Sequence, residues 1–179
     1  MFAPSVATLT HPGTTVLGVD PGLTRCGYAV LRQHQGTLSM KAMGVITTPP
    51  EMDLADRLLQ VMRDIDALIE ETAPTDVAVE QVFFQSNART AMGVAQASGL
   101  VLVSARQRGL PVACYTPSQV KRAVTGSGVA DKKAIQTMVA RRLHLSVLPS
   151  PVDAADAAAV ALCHLAAIPL AHAITTSAS

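Results

Sequence analysis

Three strand-like runs, Thr15–Asp20, Gly27–Arg32 and Leu38–Ile46, follow one another with only a Pro21-Gly22 turn and the polar stretch Gln33–Gly36 between them. Connectors that short cannot carry a parallel crossover, which takes roughly a dozen residues, so the runs form an antiparallel meander. Pro49-Pro50 closes that block, and from Asp53 the apolar period changes. Leu54, Leu58, Val61, Ile65, Leu68 and Ile69 recur at helical spacing until Pro74. A buried strand over Asp76–Val82, a small-residue helix over Ser86–Arg108 and a short strand over Pro111–Tyr115 come next. Thr116, Pro117 and Gln119 then carry helix-start signals: a cap, a proline at the first position and a glutamine three residues after the cap. Two more helices are expected, over Asp131–Leu143 and over Val152–Ile168, the second ended by Pro169. The order predicts an α/β fold: a five-stranded mixed sheet, meander plus parallel strands, with helices on both faces.

At 179 residues the chain is one domain with tails, residues 1–14 and 169–179 flanking a body over 15–168. Half of it is hydrophobic (49%), enough for a sizeable core and too much for a disordered chain. No apolar run reaches the roughly 20 residues of a membrane span, and the start lacks a basic stretch followed by an apolar block. The three cysteines, Cys26, Cys114 and Cys163, have no CxxC spacing and read as small buried hydrophobes. A cytoplasmic protein is expected.

The net charge of +1 hides a strong asymmetry. Residues 81–149 hold nine Lys or Arg against the single acid Asp131, while the flanking segments are both acidic. A basic middle backed by carboxylates suits a polyanion-binding face.

Four carboxylates stand where carboxylates are awkward. Asp20 ends an apolar strand, Glu80 lies among Val77, Val79 and Val82, and Asp153 and Asp156 share one face at the start of an alanine-rich helix. Singly, Asp153 could cap its helix, Asp156 could meet the helix dipole and Asp20 could stabilise its own turn. A strand-central Glu80 has no such local role. Gathered together, the four need cations to offset their repulsion. Oxygen-only ligands suit Mg²⁺ or Mn²⁺, and a pair of such ions serves phosphodiester cleavage. The turn Gly18–Gly22 lacks the spacing of a phosphate-cradling P-loop. It is similar to the DxG turn of actin-like and sugar-kinase ATPases, but the chain is too short for two ATPase lobes.

The segments GVDPGLTRCGYAVL, VAVEQVFFQSNA, PSQVKRAVTGSGVADK and DAADAAAVALCH occur in this order. Together they resemble the RuvC family of Holliday-junction resolvases, over about residues 15–168. The resemblance implies an RNase H-like fold, a homodimer, and an endonuclease that nicks two strands of a four-way DNA junction, leaving 5′-phosphate and 3′-hydroxyl ends. Asp20, Glu80, Asp153 and Asp156 match the family's acidic positions, implying catalytic carboxylates holding two Mg²⁺ or Mn²⁺ ions; some members have His where Asp153 stands. Lys121 and Lys132 match basic positions near the DNA backbone, with Arg89, Arg122 and Lys133 as further phosphate contacts. Phe83 matches a residue that stacks on or wedges between unpaired bases at the crossover. The family also implies work beside the RuvA–RuvB branch-migration complex. The small-residue helix around Ala91–Gly99 is expected at the dimer face. Competing readings are another RNase H-like nuclease acting on RNA or an RNA–DNA hybrid, and a junction-binding scaffold without catalysis.

Overall fold

The computed structural model describes residues 13–81 and 88–177. Five strands, β1 (Thr14–Asp20), β2 (Arg25–His34), β3 (Thr37–Thr47), β4 (Asp76–Glu80) and β5 (Val112–Tyr115), form one sheet in the order β3-β2-β1-β4-β5. β1, β2 and β3 pair antiparallel as the expected meander, whereas β4 pairs parallel with both β1 and β5. The helices are α1 (Leu54–Thr72), α2 (Ala88–Gln107), α3 (Pro117–Thr125), α4 (Lys132–Arg142) and α5 (Val152–Ser177).

The strand pleat distributes side chains to two cores. On one face Leu17, Val19, Val30, Val77 and Val79 pack with Val61, Ile65 and Ile69 of α1 and Val101 and Ala105 of α2. On the other, Val16, Ala29, Leu31 and Ala78 meet α5, which is covered in turn by Val120 and Val124 of α3 and Ile135 and Val139 of α4. α5 is therefore apolar nearly all round: Ala154, Ala155, Ala157, Ala158, Ala159, Val160 and Ala161 are all buried. Small side chains let it lie close to the sheet, and two glycines make room beneath it. A Cβ on Gly18 would run into the Ala157 carbonyl, and one on Gly27 into the Asp153 carbonyl.

α3 starts with the expected capping box: the Thr116 hydroxyl accepts from the Gln119 amide, and the Gln119 side chain accepts from the Thr116 amide. Asp131 caps α4 through the Ala134 amide at 2.7 Å. Two local expectations need correction. α5 does not stop at Pro169 but runs to Ser177; a proline removes one amide donor, and that alone does not end a long helix. Cys114 is exposed rather than buried. It lies on the short edge strand β5, opposite the small residues Ala95, Ser98 and Gly99 of α2, which leave a cleft instead of covering it. His164 of α5 joins the core, its Nδ1 2.7 Å from the Tyr115 hydroxyl, near the end of β4 opposite to Glu80.

Candidate active site

The pleat that buries Val19 and Val79 against α1 and α2 turns their neighbours, Asp20 and Glu80, toward α5. Val19 pairs with Val79 in parallel register, so the two acids stand side by side at the carboxyl ends of adjacent central strands. α5 begins over the same end of the sheet and brings Asp153 and Asp156. Asp20, Glu80 and Asp156 line one cleft of about 330 Å³ with Lys121 and Lys132. Asp20 and Asp153 line an adjoining one. The four acids expected to act together thus gather from β1, β4 and α5.

Their electrostatics follow from that gathering. Burial pushes the Asp20 carboxyl up to about 8, with repulsion from Glu80, Asp156 and Asp153 adding to it and Lys132 opposing. Glu80 is raised by burial and then by Asp156, and Asp156 is raised by burial against the pull of Lys132. Lys132 Nζ stands 3.8 Å from Asp156 Oδ2. Asp153 is held differently. Nε and Nη2 of Arg25 both reach its Oδ2, at 2.8 and 2.7 Å.

The donor set fits hard divalent cations: oxygen ligands only, on three rigid elements, with their negative charge partly unbalanced. In this conformation no three His, Cys, Asp or Glu side chains among the described residues close around one point. Asp153 is drawn to Arg25, while the other three acids line the cleft beside it.

Of the basic residues expected from the sequence, Lys121 and Lys132 face the carboxylates. Arg122 and Lys133 are exposed on α3 and α4 and do not line that cleft. Phe83 and the side chain of Arg89 lie outside the described residues. Arg25 escapes the sequence reading. Its partner is 128 residues away, and only the placement of α5 over β2 brings the two together.

A family model described as the RuvC crossover junction endodeoxyribonuclease matches residues 16–164, which include all four acids. The chain belongs to the RuvC family. The RuvC of Leifsonia xyli is 56% identical over 152 residues, covering 83% of this chain and 72% of that protein. The RuvC of Frankia casuarinae is 54% identical over 154 residues, 84% of this chain and 88% of that one. Among solved structures, Thermus thermophilus RuvC superposes with a TM-score of 0.81 at 34% identity, covering 88% of this chain and 97% of that one. The same protein in complex with a Holliday junction substrate gives 0.83 at 33% identity, covering 88% and 96%. The RNase H-like fold expected from the sequence is the fold observed, and the chain falls among metal-dependent nucleases.

Proposed function

We propose that this protein resolves four-way DNA junctions by paired, symmetric nicks, using Asp20, Glu80, Asp153 and Asp156 to hold two Mg²⁺ or Mn²⁺ ions. The observation that carries the reading is the convergence of these acids, from three elements, at one sheet end beside Lys121 and Lys132. Membership of a family whose Thermus member is seen with a Holliday junction supports the substrate.

Divalent cations bound at such a site supply activation of a water nucleophile and neutralisation of charge on the scissile phosphate and the leaving 3′-oxygen. The chain does the rest. β1 and β4 fix Asp20 and Glu80 as a rigid pair, and α5 presents Asp153 and Asp156 from one helix face. Lys121 and Lys132 attract a backbone phosphate into the cleft and offset the carboxylate charge that would repel it. Arg25 anchors Asp153 through one carboxylate oxygen. Cleavage that leaves a 5′-phosphate and a 3′-hydroxyl gives ends that a ligase can join.

Two symmetric nicks require two active sites related by a two-fold axis. The outer face of α2 suits a second copy of the chain: Met92 is 63% and Val103 52% exposed, with the small Ala95 and Gly99 between them. Phe83 is proposed to meet unpaired bases at the crossover. Arg89, Arg122 and Lys133 are proposed as outlying phosphate contacts, and RuvA–RuvB as the complex that delivers the junction in the cytoplasm.

A substrate panel tests the reading: a four-way junction, a linear duplex and an RNA–DNA hybrid, each with the same metal. Cutting of the junction is expected. Cleavage of the hybrid alone would transfer the site to an RNA-directed nuclease.

A further inference from the structure

The Lys121–Lys132 cleft is one of two that meet at Asp20. The second, of about 410 Å³, runs from Asp20 and Asp153 along the β1–β2 turn to Arg57 of α1 and Gly93 of α2. Arg57 is half-buried there and finely held. Its Nε donates to the Thr48 hydroxyl at 2.9 Å and its Nη2 to the Thr24 hydroxyl at 2.7 Å. Thr48 is itself fixed, buried at 2% exposure with its hydroxyl donating to the Leu23 carbonyl at 2.6 Å. Both partners of the guanidinium are neutral, and it forms no ion pair with a carboxylate among the described residues. Arg108 shows the contrast, bracketed by Asp66 and Glu70. A half-buried cation oriented by hydroxyls, without an ion-pair partner among the described residues and facing a cleft, is built for an anion that is not part of the fold.

We infer that this second cleft holds a backbone phosphate of the strand being cut, next to the scissile one, with Arg57 as its principal ligand. The inference rests on the nuclease reading above. A strand whose scissile phosphate sits over Asp20 has Lys121 and Lys132 on one side, and its continuation enters the cleft that also begins at Asp20. Arg25 lines the same wall, but its Nε and Nη2 are committed to Asp153. The carboxylates of Asp20 and Asp153 repel an anion at the mouth of the cleft, which places the phosphate toward Arg57 and the Leu23–Thr24 backbone. Arg57 is thus a second DNA-backbone anchor on the far side of the carboxylates.

The test is junction binding without cleavage, in EDTA, across a salt series. Arg57→Gln is expected to weaken binding roughly tenfold, as for one lost charged hydrogen bond. It should also lower the slope of log affinity against log salt by about 0.7–0.9, the value for one phosphate contact. A role confined to stitching α1 to the turn would lower the melting temperature and leave that slope unchanged. Arg57→Lys keeps the charge and should keep most of the slope. The wild-type protein supplies a second readout that needs no variant. Junctions carrying a neutral methylphosphonate one step to either side of the cleavage point should lose affinity on at least one side, and Arg57→Gln should be insensitive to that same substitution. Equal sensitivity of variant and wild type on both sides would overturn the inference. Failure of the wild type to bind junctions at all would instead strike the nuclease reading.

Discussion

Asp20 is the residue on which the site turns, and its environment has a consequence for stability. Its folded-state carboxyl sits at about 8, far above the 3.8 of a free side chain, because it is buried among other acids. The folded state therefore holds this proton more tightly than the unfolded chain does. The corresponding stability is complete below about pH 4 and is lost as the pH rises through 8. Glu80 and Asp156 shift in the same direction. Ion-free protein is accordingly expected to melt at lower temperature at pH 8 than at pH 6, and Mg²⁺ or Mn²⁺ should restore the difference at pH 8. Asp20→Asn should flatten both responses, as followed by thermal melts. The same substitution should lower junction cutting by about a hundredfold or more while leaving binding in place, measured by single-turnover cleavage beside a gel shift. Retained cutting would show that the reacting centre lies elsewhere. Glu80 was legible from sequence because a charged residue inside DVAVEQV has no local role. Arg25 and Arg57 were not, since each looks like an ordinary surface arginine until the β1–β2 turn, α1 and α5 are folded around them.

The position of α5 determines whether the four acids meet. Gly18 and Gly27 leave the space in which its first turns rest on β1 and β2, and Gly27 faces Asp20 in the β1–β2 register while touching the backbone of Asp153 on its other side. Gly27→Ala would place a methyl against the Asp153 carbonyl, so the start of α5 must lift. A cost of about 1–3 kcal/mol is expected in denaturant unfolding, accompanied by a loss of cutting greater than the loss of fold explains. Thr116→Ala removes one half of the α3 capping box and should cost about 1 kcal/mol with a smaller effect on cutting. Much of this architecture is written locally. Short connectors give the meander, the apolar period gives α1, and Thr116-Pro117 and Asp131 mark the starts of α3 and α4. The end of α5 is not, because a proline sets a local preference without deciding whether the helix resumes. The exposure of Cys114 was hidden for a related reason: a strand pattern does not say which strand lies at the edge.

At the scale of the molecule, the charge asymmetry of the sequence becomes a geometry. The basic segment 81–149 contributes Lys121 and Lys132 to one flank of the carboxylates, while Arg25 and Arg57 line the other flank from the otherwise acidic first part of the chain. The uncovered apolar face of α2 bears on assembly. Light scattering after size exclusion is expected to give a dimer at micromolar concentration, and Met92→Glu with Val103→Glu should give a monomer that still melts cooperatively. A stable wild-type monomer would remove the basis for paired nicks. The most direct measurement is cleavage of an end-labelled four-way junction in EDTA, Mg²⁺ or Mn²⁺, with products resolved on denaturing and native gels. Paired nicks at symmetric positions, formed only with metal and yielding ligatable duplexes, are the expected result. Binding without cutting in either metal would contradict the catalytic role assigned to Asp20, Glu80, Asp153 and Asp156.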